Sequence, residues 1–169
     1  MLPGCGFARL LGVSRLRPFR VRYWLLLSRI CKGGVMEKTL RGRCLCGAVE
    51  YQVPDALEYA GYCHCSECRR FSGSAFSAFG GIAEGNLRVV KGERHITSYR
   101  KSEDSLMCFC SVCGSSLFSR KLKTGMVHLR LGTLVDTPSM QPQAHLFTGS
   151  KASWYQIEDG LPRFDTLPS

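Results

Sequence analysis

The chain has 169 residues, enough for one domain with a real core, and its 44% hydrophobic content agrees with a globular fold. The net charge of +10 would suit a nucleic-acid binder, but seven basic residues (Arg9, Arg15, Arg17, Arg20, Arg22, Arg29 and Lys32) lie within the first 35 positions, where no acid occurs. Residues 36–169 carry 16 basic against 13 acidic side chains, a balance of +3, so nucleic-acid binding loses its main support.

The first 35 residues differ in composition from the rest. Their apolar run, Tyr23-Trp24-Leu25-Leu26-Leu27, is bracketed by Arg22 and Arg29 and is far too short to span a bilayer, so no membrane partner is expected. An arginine-rich, acid-free start is one form of organellar transit peptide. The expectation here is a basic extension over 1–35, disordered or absent from the native product, because Met36 opens a stretch that runs straight into the first strand. Lys32-Gly33-Gly34 even reads as a translated ribosome-binding site. Residues 36–169 then form a single domain in the cytoplasm, of unspecified oligomeric state.

From Leu40 to Val53 the alternation of Val49, Tyr51 and Val53 with polar neighbours predicts one strand. On such a strand Cys44 and Cys46 share a face and offer two sulfurs in one direction, with Gly47 admitting close backbone approach. Asp55 to Gly61 is a connection, and Cys63-His64-Cys65-Ser66-Glu67-Cys68 follows. Ser66 is the expected cap of a short helix carrying Arg69, Arg70 and Phe71, stopped by Gly73. A helix N-terminus favours thiolate over thiol.

Segments Ala75 to Ile82, Leu87 to Val90, Ile96 to Tyr99 and Ser105 to Phe109 are short, β-rich and punctuated by Gly80-Gly81, Gly85-Asn86 and Gly92. That spacing predicts an antiparallel all-β domain. Cys110-Ser111-Val112-Cys113-Gly114 reads as a metal knuckle whose glycine allows the turn. Leu117-Phe118 and Val127, Leu129 and Leu131 give two more strands, on which His128 falls opposite the apolar face and reads as a surface residue. His145-Leu146-Phe147 and Trp154-Tyr155-Gln156-Ile157 are edge strands or ordered coil, and Leu161 to Ser169 is a tail.

Eight cysteines between Cys44 and Cys113 thus form three groups, CxC, CxCxxC and CxCxxC. Thiolates gathered so tightly suit a soft tetrahedral cation, and zinc is the expected metal. A disulfide framework fits poorly, since cysteines two or three residues apart bridge one another only with strain. Cys5 and Cys31 have no partners at metal spacing.

Together, Gly42-Arg43-Cys44-Leu45-Cys46-Gly47-Ala48-Val49, Cys63-His64-Cys65-Ser66-Glu67-Cys68-Arg69-Arg70, Phe109-Cys110-Ser111-Val112-Cys113-Gly114-Ser115 and His145-Leu146-Phe147 resemble the glutathione-dependent formaldehyde-activating enzyme and centromere protein V family, over about Leu40 to Phe164. The resemblance implies a mainly β, Mss4-like fold of antiparallel sheets with one short helix after the central cysteines. It also implies two zinc ions per chain: a structural one on Cys44, Cys46, Cys110 and Cys113, and a second on Cys63, Cys65 and Cys68.

Cys108 lies outside the family pattern and on an extended segment would share a face with Cys110. It either closes the second site with a fourth thiolate or is a buried strand residue; the latter is expected, because its reach is toward the knuckle.

A three-thiolate zinc with an open position is the form catalytic sites take, and a substrate thiol such as glutathione fits the gap. The expected function is therefore a carbon-sulfur lyase acting on a formaldehyde-thiol adduct, with Cys63, Cys65 and Cys68 as its catalytic centre. The alternative is a non-enzymatic zinc-stabilised binding module, which the same fold allows. His64, between two ligands, more simply orients the knuckle than shuttles protons. Arg69 and Arg70 either pair with substrate carboxylates or form a solvated face.

Overall fold

The computed structural model describes residues 38–168, and the basic segment 1–35, with Cys5 and Cys31, lies outside the described residues. The described chain is mainly β, as expected, with one α-helix. In order its elements are β1 (Thr39–Arg43), β2 (Glu50–Pro54), β3 (Tyr59–Cys63), α1 (Ser66–Ser72), β4 (Ser77–Ala83), β5 (Arg88–Lys91), β6 (Ile96–Ser102), β7 (Ser105–Cys110), β8 (Ser116–Lys121), β9 (Met126–Arg130), β10 (His145–Leu146) and β11 (Arg163–Phe164). Among the described residues no helix is long and apolar enough to cross a membrane.

Two sheets result, one of three strands in the order β1-β2-β5 and one of eight in the order β11-β10-β3-β4-β9-β8-β7-β6. Pairing is antiparallel except at β10, which lies parallel to both β3 and β11. The stretch expected as one strand from Leu40 to Val53 is instead a hairpin, with Cys44 and Cys46 in the turn between β1 and β2. The buried alternation changes parity across the turn, from Leu40 and Gly42 before it to Val49, Tyr51 and Val53 after it, as a hairpin with both strands facing one core requires.

The small sheet covers one face of the large one. Leu40, Val49, Tyr51 and Val53 form a single cluster with Ile82, Phe118, Val127 and Leu129, and the rings of Tyr51 and Phe118 meet edge to face at 6.2 Å. Burial of several large apolar side chains, each contributing about 1.5–3 kcal/mol, is the main force holding the two sheets together. Cys108 belongs to this core, cross-strand from Phe118, as a 2% exposed residue.

The opposite face of the large sheet carries the chemistry. Strand registers place Cys63, Ser77, Phe79, His128, Arg130 and Ser119 on that side. Instead of meeting solvent, it is overlaid by α1 and the C-terminal segment. The residues read as a tail from Leu161 onward contribute β11, which pairs with β10, so that segment is part of the sheet.

Candidate functional site

Four sulfurs from opposite ends of the cysteine series converge. Cys44, Cys46, Cys110 and Cys113 each offer an atom within 4.8 Å of all the others. Sulfurs around a tetrahedral zinc, each about 2.3 Å from it, stand about 3.8 Å apart. The Cys44 to Cys46 and Cys46 to Cys110 separations are 3.6 Å and 4.0 Å, so the donor set fits such an ion. Both contributing turns are built alike. Gly47 and Gly114 adopt left-handed backbone (φ 72° and 75°), each turning its N–H back to the carbonyl of the first cysteine, Cys44 at 3.2 Å and Cys110 at 2.8 Å. The Leu45 N–H donates to Ser115 Oγ at 2.9 Å and ties the two turns together.

The second cluster is local. Cys63 ends β3, Cys65 is the N-cap of α1 and Cys68 lies in its first turn, and their sulfurs also fall within 4.8 Å of one another. Cys65, not Ser66, caps the helix: its Sγ accepts from the Cys68 N–H at 3.3 Å, a role oxygen usually takes. Gly73 ends the helix in left-handed backbone, as expected. Sharing of hydrogen bonds with Cys63 and Cys68 pulls the Cys65 thiol down, while sharing with Cys65 and Cys68 pushes Cys63 up. One negative charge is therefore already favoured at the helix N-terminus. All eight described cysteines are free of disulfides, and Cys108 is in neither cluster.

A cavity of about 460 Å³ opens beside the second cluster. Its apolar walls are Phe79, Leu146, Phe147 and Leu167, and its charged ones include Lys101, Lys121 and Arg130. Glu67 is paired with Lys101, which raises the lysine's affinity for its proton. Phe147 holds a left-handed backbone (φ 58°) that costs a non-glycine residue of order 1–3 kcal/mol, a strain typical of functional sites.

His128 lines the same cavity and is half-buried, which corrects its reading as a surface residue. Its ring stacks on Phe79 at 5.2 Å and its Nε2 meets the Tyr59 hydroxyl at 2.9 Å. Burial, then Lys121 and Arg130, pull its pKa down to about 4.

His64 is buried and joins a hydrogen-bonded chain that runs through buried His145 to the exposed Asp159. Its Nε2 meets His145 Nδ1 at 2.8 Å, and His145 Nε2 meets the Asp159 carboxylate at 2.9 Å. Asp159 accepts, so His145 carries its proton on Nε2, and His64 donates from its own Nε2. This orients the loop between Cys63 and Cys65 against the C-terminal segment. Arg69 does similar work, donating to the carbonyls of His64 (3.2 Å) and Ser150 (3.3 Å), while Arg70 is exposed; neither lines the cavity. The cavity cations Lys101, Lys121 and Arg130 escaped sequence reasoning, since they lie far from any cysteine motif.

Residues 39–150 match the family model described as glutathione-dependent formaldehyde-activating enzyme. A Halomonas elongata protein named "Putative glutathione-dependent formaldehyde-activating enzyme" is 29% identical over 127 residues, covering 70% of this chain and 81% of that protein. A crystal structure of a Rhodobacter sphaeroides protein is 27% identical, covers 59% of this chain and 91% of that one, and superposes with a TM-score of 0.49.

Proposed function

The chain belongs to the glutathione-dependent formaldehyde-activating enzyme family, and from that premise we propose that it is a carbon-sulfur lyase acting on a thiol adduct of formaldehyde such as S-(hydroxymethyl)glutathione. The observation that carries the proposal is the difference between the two clusters. The first offers four thiolates, a closed tetrahedral set with a structural role; the second offers three, beside a cavity, leaving a fourth position for a substrate sulfur. Zinc held by Cys63, Cys65 and Cys68 would supply Lewis acidity and lower the pKa of a thiol bound there.

The chain's own residues divide the remaining work. In the cleavage direction the adduct's hydroxyl loses its proton, the carbon-oxygen bond becomes a carbonyl, and the carbon-sulfur electron pair returns to sulfur, giving formaldehyde and thiolate. That proton passes to solvent, and His128, neutral at pH 7 on the cavity wall, offers a hydrogen-bonding group to the adduct's hydroxyl. Phe79, Leu146, Phe147 and Leu167 keep water from the one-carbon unit, and Lys101 and Lys121 suit the carboxylates of a glutathione-like molecule. Eight free thiols belong in a reducing compartment, which supports a cytoplasmic location.

The test is formaldehyde release from a glutathione-formaldehyde mixture by zinc-loaded protein. Wild type should accelerate it, and Cys65→Ser should lose at least about 100-fold, since second-site zinc is either absent or misplaced. An inert wild type would instead favour the binding-module reading.

A further inference from the structure

Arg130 ends β9 on the cavity side of the large sheet and is only 7% exposed. A guanidinium keeps its charge at any physiological pH, so burying one without an anion is costly. Its Nη2 donates to Ser119 Oγ at 2.7 Å, and its guanidinium lies 5.1 Å from the centre of the Phe71 ring. Its Nε has no partner, and no carboxylate pairs with it among the described residues. Glu67, the acid on the cavity wall, is engaged by Lys101. The anions left for Arg130 are the sulfurs of Cys63, Cys65 and Cys68, which share the cavity with it.

We infer that Arg130 is the buried counter-charge of the three-cysteine centre, making the fourth position prefer a sulfur anion over water. Charge counting gives the reason. Three thiolates around a divalent cation sum to −1; a neutral water leaves that unchanged, whereas a fourth thiolate makes it −2. An uncompensated cation within the same low-dielectric cavity stabilises the second state more. Arg130 is therefore a positioning and selectivity residue, and its preference for substrate sulfur rests on the thiol-lyase reading above.

The experiment compares zinc-loaded full-length wild type, Arg130→Met and Arg130→Lys by chelator competition, and by calorimetric binding of glutathione and S-methylglutathione, which keeps the carboxylates but has no ionisable thiol. Arg130→Met should release one of its two zinc ions about 10–100-fold more readily, the scale of residues supporting metal ligands, with the other ion retained as in wild type. Its affinity for glutathione should fall by a similar factor while S-methylglutathione binding is unchanged. Arg130→Lys should keep most of both properties. Equal losses in the Lys and Met variants would show that shape, not charge, matters and overturn the inference, as would a Met variant indistinguishable from wild type. Should the Met variant fail to fold, Arg130→Gln against Arg130→Lys makes the same comparison. If glutathione binds none of the proteins, the substrate reading fails, and the difference in zinc release still decides the role of Arg130.

Discussion

His128 occupies a position where two layers meet, and its titration reports that. In the unfolded chain an imidazole has a pKa of about 6.5, and in the fold it is held at about 4, first by burial. The folded form thus resists protonation. Its contribution is fully present above about pH 6.5 and is lost as pH falls toward about 4, reaching about 2 kcal/mol at pH 5. His128→Asn should therefore lose less stability than wild type between pH 7.5 and pH 5, by about that amount, in denaturant unfolding of each protein at both pH values. Alternation along β9 correctly sends Val127 and Leu129 inward, but the outward side of a strand is solvent only when nothing overlies it. The layer that overlies His128 comes from residues far along the chain. By contrast, short intervals mark Cys63, Cys65 and Cys68 as one group and the other four cysteines as two half-sites, and only the family resemblance implies that those halves, 64 residues apart, come together.

At the level of elements, the two-residue strand β10 has the largest effect for its length. It is inserted between β3 and β11, pairing Leu146 with Cys63, and the His64 N–H donates to the Leu146 carbonyl at 2.9 Å. Two residues carry no periodicity, so nothing local marks His145-Leu146 as a sheet member rather than coil. The chain of hydrogen bonds from buried His64 through buried His145 to the exposed Asp159 helps to hold the strand. His145→Phe would leave His64 Nε2 buried and unpartnered, a loss of about 1–3 kcal/mol. Hydrogen exchange should then show faster exchange at His64, His145 and Phe147, with protection in β1 and β2 unchanged. Equal loosening of both regions would mean that β10 is not a separate unit. The hairpin of β1 and β2 is marked by a change of parity, from Leu40 and Gly42 to Val49, Tyr51 and Val53, which the regular alternation of β2 taken alone does not reveal.

For the molecule as a whole, the two clusters differ in what they join. The first draws together turns 64 residues apart, from Cys46 to Cys110, and the second lies within six positions. Metal binding to the first would therefore be bound up with folding, on the order of 10 kcal/mol in small zinc domains. Cys113→Ser should yield insoluble or unfolded protein, whereas Cys68→Ala should contain one zinc fewer and melt as wild type does. Metal analysis alongside thermal unfolding checks both, and simultaneous loss of the two ions in Cys68→Ala would remove the distinction. The insertion of β10 also has a consequence for biosynthesis. A chain leaving the ribosome presents Cys113, the last sulfur of the first cluster, about thirty residues before His145, an interval of about 2–6 s. During those seconds the first cysteine cluster can close around a nearly complete sandwich, while Cys63, Cys65 and Cys68 stand uncovered beside the edge of β3. Newly made chains are then most open to oxidation, or to capture of the wrong metal, at the cluster proposed to do the chemistry.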